Sequence, residues 1–187
     1  MQHKKLVIWW PKAPLIQLTV FLILFGVSEA PQAFEALITN ERSGDVIHIN
    51  DRGEVTHVVP VCNRPRGMTP GISTDTVLIA CSDDHKVIVY NRSTLYIDSE
   101  ITSVPGAMNL VLNPATDRLF VTNEGVSRGS VYQLSSGRLL AQLPTGFEPD
   151  GVVISEDGRH IFVASENAGL IHVFDGTNYQ QIALIRT

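Results

Sequence analysis

The chain has 187 residues, 44% hydrophobic and 18% charged, with a formal charge of -5 at pH 7. That length and balance predict one folded domain with enough apolar material for a core. No block of like charge occurs, which argues against a nucleic-acid arm and against a polybasic membrane patch.

The first 33 residues stand apart from the rest. "MQHKKLVIWWPK" is a basic start, "LIQLTVFLILFGV" (15–27) is an apolar run, and "SEAPQA" supplies small residues. That order predicts a secretory signal peptide, cleaved after Ala33 or, as second choice, after Ala30. The run is short for a bilayer span of about 20 residues. Counting from Leu6 to Val27 gives a competing reading as an uncleaved anchor, which must bury Lys12. Cleavage removes Lys4, Lys5, Lys12 and Glu29 and leaves 11 Lys+Arg against 18 Asp+Glu, a charge near -7. The mature chain is expected to be periplasmic or secreted, away from the membrane and with no nucleic-acid partner. An exported chain is permitted disulfides. Cys62 and Cys81 are the only cysteines, too few for a disulfide framework.

After residue 33 the chain repeats itself. "ALITN", "VLIAC", "LFVTN" and "IFVAS" end at Asn40, Cys81, Asn123 and Ser165, spaced 41, 42 and 42 residues apart. A second run follows each: "DVIHIN", "KVIVYN", "SVYQLS" and "LIHVFD". A third follows: "EVTHVVPV", "LYIDSEIT", "RLLAQLPT" and "YQQIALIR". Then comes a turn with Pro65, Pro105 or Pro149, spaced 40 and 44, and a closing run "GMTPGI", "AMNLVL" or "GVVIS". Four short strands in about 42 residues, punctuated by Gly, Asp, Asn and Pro, predict a β-propeller blade. The runs are apolar on both phases, as expected where small sheets stack face to face. A β-sandwich would not need the same turn chemistry every 42 residues.

The predicted architecture is all-β: about 15 strands in four blades, at 34–62, 63–102, 103–146 and 147–187. The first blade lacks its innermost strand, and "QQIALIRT" is an outermost strand. The expectation is therefore an open or incomplete ring, the N-terminal part of a larger propeller. Its two terminal blade faces would be apolar and prone to self-association.

"FVTNE", "RPRGM", "EPDGV" and "SEDGRHIFVAS" resemble the YVTN-type β-propeller repeat family. The chain is most similar to the periplasmic propeller proteins associated with pyrroloquinoline-quinone-dependent catabolism. The resemblance covers about residues 34–187. It implies a ring commonly of seven blades and carries over no catalytic residue.

In a propeller, the turn after each outermost strand and the turn between the second and third strands share one rim. The first kind carries Arg64, Arg66, Glu148 and Asp150, and the second carries Glu41, Asp83, Glu124 and Glu166. An acid in every repeat reads either as a ring of cation ligands or as a turn cap. Arg64 and Arg66 occur in one blade only. They read either as a fork for a small acidic ligand or protein partner at the rim, or as an ion pair to Glu41 or Asp83. Asn109 and Asp150 are the candidates for polar groups in the channel. The histidines have no metal-ligand spacing, and no metal or other cofactor is expected. Cys62 and Cys81 lie toward one rim. A disulfide between them is one reading and free buried thiols the other; free thiols are the expectation, because loops of adjacent blades usually stand too far apart for a bridge.

The sequence thus points to an exported, non-catalytic propeller serving as a ligand- or protein-binding scaffold, with an accessory role beside a periplasmic quinoprotein oxidation system implied by the resemblance alone. The alternative is a metal-dependent, lactonase-like propeller enzyme. A third reading is an incomplete copy without activity of its own.

Overall fold

The computed structural model describes residues 36–187; the expected signal segment, residues 1–33, lies outside the described residues. The first sheet contains β1 (Ala36–Asn40), β2 (Asp45–Ile49) and β3 (Val55–Pro60). The second contains β4 (Pro65–Pro70), β5 (Thr76–Cys81), β6 (Lys86–Asn91) and β7 (Tyr96–Thr102). The third contains β8 (Ala107–Asn113), β9 (Arg118–Asn123), β10 (Arg128–Gln133) and β11 (Leu139–Pro144). The fourth contains β12 (Pro149–Ile154), β13 (His160–Ser165), β14 (Leu170–Asp175) and β15 (Gln181–Arg186). Within each sheet the strands lie in sequence order and pair antiparallel. Among the described residues the one helical piece is the three-residue 3-10 turn Glu166–Ala168. The inner strands β4, β8 and β12 pack in succession, and the four sheets form an open arc. This is a four-bladed β-propeller arrangement whose first blade has three strands.

Strand pairing gives a stricter register than the prolines did. Cys81 pairs with Pro65, Asn123 with Ala107, and Ser165 with Pro149. The equivalent positions are Pro65, Ala107 and Pro149, each 42 residues apart, so Pro105 stands two residues early. A proline can fix φ anywhere in a connector, whereas hydrogen bonding sets the register. Two bulges also recur. One interrupts the pairing of the first and second strands just after Pro65, Ala107 and Pro149. The other interrupts the outer pair in all four sheets, at His48, Val89, Val131 and Val173. Bulges at fixed points add local twist, so each sheet coils alike and can stack on its neighbour.

Three apolar clusters fill the three gaps between sheets. Val46, Ile79, Ile88 and Tyr90 close the gap between the first and second sheets. Leu78, Val87, Val121 and Tyr132 close the next, and Phe120, Val131, Ile161 and Phe174 the last. Adjacent residues of one strand serve opposite gaps: Leu78 and Ile79 on β5, Phe120 and Val121 on β9. Side chains alternate across a strand, and here both faces are core. That is why the repeated runs read as continuously apolar. Truncating any of these fully buried side chains to Ala would cost about 2–5 kcal/mol. By contrast β15 is exposed along its length and β3 nearly so.

The repeated "TN" also has a packing role. Thr39 Oγ donates to the Arg66 carbonyl of the next sheet at 2.7 Å, and Thr122 Oγ donates to the Asp150 carbonyl at 2.7 Å. Asn123 Nδ2 donates to the Pro105 carbonyl at 2.8 Å. These residues pin the first and third sheets to the inner strand of the sheet that follows, and the third to its own connector.

Candidate functional site

The connectors between sheets and the hairpins between second and third strands meet on one rim, where the predicted site residues lie. Arg64 ends the connector into β4 with a left-handed backbone, φ 54°. Gly106 and Glu148 hold the equivalent positions at φ 54° and 53°. At each, the carbonyl accepts an N–H from the neighbouring hairpin: Ser82 to Arg64 at 3.1 Å, Glu124 to Gly106 at 2.8 Å, Glu166 to Glu148 at 3.3 Å. The connector is thereby fixed, and so is the side chain that follows it.

Arg64 reaches carboxylates from three sheets. Its Nε donates to Glu41 at 2.8 Å, and its terminal nitrogens lie 3.6 Å from Asp83 and 3.6 Å from Glu124. Arg66 donates to the other Glu41 oxygen at 2.6 Å and to the Met108 sulfur at 3.0 and 2.7 Å. Hydrogen bonds from Arg64 and then Arg66 hold the Glu41 carboxyl below its ordinary range, and the bond to Glu41 raises the Arg64 guanidinium. Of the two sequence readings for these arginines, the structure realises the ion pair. An acidic ligand at this point would have to displace Glu41.

The four acids are not strictly equivalent. The residue in register with Glu41, Glu124 and Glu166 is Ser82, and Asp83 reaches Arg64 from one position further on. The three that meet at Arg64 converge on a guanidinium. Among the described residues no three His, Cys, Asp or Glu side chains are placed to share a metal ion.

Asn109 is turned back on its own sheet. Its Oδ1 accepts the Leu110 N–H at 2.8 Å, and its N–H donates to Thr122 Oγ at 3.0 Å. It also lies against Gly67, where a Cβ would come within 2.7 Å of that oxygen. Glu148 accepts a bond from Asn167 Nδ2. Asp150 is fixed through its carbonyl, by Thr122. Its carboxylate makes no hydrogen bond or ion pair among the described residues.

The cysteines correct the sequence reading. Cys62 and Cys81 form a disulfide with Cα atoms 5.9 Å apart, and neither is a free thiol. Cys62 lies in the connector three residues before Pro65, its N–H directed at the Gly44 carbonyl of the first sheet, and Pro65 pairs with Cys81. The pairing of β4 with β5 was the signal that placed the two cysteines together. A rim cleft of about 360 Å³ opens beside the disulfide, with Arg42, Asn63, Arg64 and Asp84 on its walls. Asp84 accepts the Asn63 N–H at 3.0 Å and its amide at 2.7 Å, which lowers the Asp84 carboxyl from its ordinary value.

No protein-family model and no curated protein matches the chain. Among solved structures, the chain is similar to the hydrazine synthase of Kuenenia stuttgartiensis, with a TM-score of 0.71 at 16% sequence identity. The match covers 80% of this chain and 45% of that one. At that identity the likeness shows the fold alone. It agrees with the strand order: the chain is a β-propeller-type protein.

Proposed function

We propose that the chain is an exported, non-catalytic propeller scaffold that presents its rim to a protein partner. The observation that carries this reading is the rim's charge arrangement. Arg64 gathers Glu41, Asp83 and Glu124, so charged groups from three sheets meet at one guanidinium. Such a surface is preorganised for recognition, with little ordering cost on binding. The disulfide supports the export reading, because such bonds persist in oxidising compartments. The resemblance to propellers associated with pyrroloquinoline quinone names the candidate setting, a periplasmic quinoprotein oxidation system.

The rim also favours a partner over a small acidic ligand. Glu41, Asp83, Asp84, Glu124, Glu148 and Glu166 outnumber Arg42 and Arg64 on its turns and connectors. A partner presenting basic groups would be steered to it.

The test is a titration of the purified chain with a soluble periplasmic quinoprotein dehydrogenase, beside a lactone-hydrolysis assay. Saturable binding that weakens in the E124Q/D83N variant, with an unchanged melting temperature, is expected. Lactone turnover by the chain alone, lost on chelation, would assign it to the enzyme reading. Recovery of the chain in the cytoplasm with residues 1–33 intact would end the export reading.

A further inference from the structure

Each internal gap is closed by the forward face of one sheet against the rear face of the next. The second sheet shows both halves. Its forward face buries Leu78, Ala80 and Val87 under the third sheet, and its rear face buries Ile79, Ile88 and Tyr90 on the first. Register places Phe162, Ala164, Ile171 and Val173 of the fourth sheet at the positions of Leu78, Ala80, Val87 and Val89. It places Ile38, Ile47 and Ile49 of the first sheet at the positions of Ile79, Ile88 and Tyr90. Two of those three rear residues are identical.

The fourth sheet's forward face and the first sheet's rear face are therefore the two halves of a contact the chain already makes three times. Both lie open. Ile38 is 46% exposed and Val58 56% on the first sheet, and Ile185 is 47% exposed on the fourth. None of these positions carries a charge. We propose that a second copy of this chain supplies the missing half, the fourth sheet of each copy packing on the first sheet of the other. Two copies then close a ring of eight blades, within the known range of four to eight.

Size decides between one contact and two. A face three strands wide at about 4.8 Å and five residues long at about 3.4 Å covers roughly 240 Å² on each side. One contact falls well short of the ~1,000 Å² that specific interfaces bury, and the two contacts of a closed ring reach about that total. The dimer is thus expected to be concentration-dependent. Val153 on β12 lies inward of the contact, because the first sheet has three strands.

The experiment uses the chain with its export segment processed or intact, and does not touch the rim. Sedimentation velocity at rising concentration should show twice the chain mass. A rear-face variant, Ile38→Asp with Val58→Asp, should be monomeric alone. A forward-face variant, Phe162→Asp with Ile185→Asp, should also be monomeric alone. An equimolar mixture should form a dimer, because the intact forward face of the rear-face variant can still pack on the intact rear face of the forward-face variant. That contact is single, so the mixture should need at least tenfold higher concentration than the wild type. A wild-type chain that stays monomeric at all concentrations overturns the proposal without recourse to the variants. So does either variant dimerising by itself, which would mean like faces pair. Growth into long arrays would overturn closure at two copies.

Discussion

The junctions into the second and fourth sheets share one backbone geometry and are latched by different chemistry. At the second, Cys62 in the connector is bonded covalently to Cys81 at the end of β5. At the fourth, the same two positions hold Gly146 and Ser165. There the Gly146 N–H donates to His172 Nε2 at 2.9 Å, and the Ser165 hydroxyl is buried without a partner among the described residues. Because Nε2 accepts, the ring proton sits on Nδ1 and faces Gln181 Oε1 at 3.1 Å. The third junction lies between these extremes: Asn123 donates to the Pro105 carbonyl and accepts from Ser130 Oγ at 2.6 Å. Ser130 and His172 occupy the same position on their strands. Where Asn is shortened to Ser, the neighbouring strand's histidine takes over the connector. The fold requires a latch at this point and leaves its chemistry open.

The largest break in that comparison is removal of the covalent latch. Closing a loop of 19 residues stabilises by about 3 kcal/mol in the chain-entropy account. Cys62→Ser with Cys81→Ser, or reduction of the wild type, should lower the melting temperature by about 10 °C. Parallel melts with and without reductant check this, and a shift under about 2 °C would show that the latch holds without the bond.

Next in size is the amide latch. Asn123 is fully buried, and Asn123→Ala strands the Ser130 hydroxyl and the Pro105 carbonyl. Leaving buried polar groups unpaired costs about 1–3 kcal/mol. Urea unfolding should show a lower midpoint with an unchanged slope.

These latches also mark what was legible in the sequence. The four repeats could be read because pairing forces one spacing on Asn40, Cys81, Asn123 and Ser165. The three-stranded first sheet followed from the same count. Pro105 misled because a proline constrains only its own φ, and register belongs to Ala107. The disulfide was not the favoured reading because the connector was taken as a link between blades, whereas the pairing of Pro65 with Cys81 brings it beside the end of β5. At the rim, the Arg64–Glu41 pair was visible as an option. The reach of Arg64 to Glu124 and of Arg66 to Met108 was not. Those contacts join residues 60 and 42 positions apart across successive sheets, and they depend on how tightly the arc curves.

A smaller effect separates the second junction from the others by pH. Asp84 holds the connector through Asn63, and those bonds keep its carboxyl below the ordinary value of 3.8. A carboxyl lowered on folding stabilises above its unfolded pKa, and the contribution fades as pH falls through the folded value. Asp84→Ala should therefore melt about 1–2 °C below the wild type at pH 7, a small gap because the site is solvent-exposed. The gap should narrow as pH falls below 3.8 and close once the folded carboxyl is protonated. A gap that is constant across pH would mean that the bonds to Asn63 do not depend on charge.

The smallest expected effect falls on the fourth junction and has the opposite sign to that at Asn123. Ser165 occupies the position of Asn123 and is as deeply buried, so loss of its side chain would be expected to cost as much if position alone mattered. Its hydroxyl, however, has given up water and gained no bond among the described residues. Burying a hydroxyl in that way costs about 1–3 kcal/mol, and Ser165→Ala removes the cost along with a single oxygen's packing contacts. The net change should be between zero and about 1 kcal/mol of added stability. The Gly146–His172 bond does not pass through Ser165, so it should survive the substitution. Urea unfolding of Ser165→Ala and Asn123→Ala side by side makes the comparison. Loss of more than about 1 kcal/mol at Ser165 would show that its hydroxyl is bonded through an ordered water, and that the third and fourth junctions are latched by the same means after all.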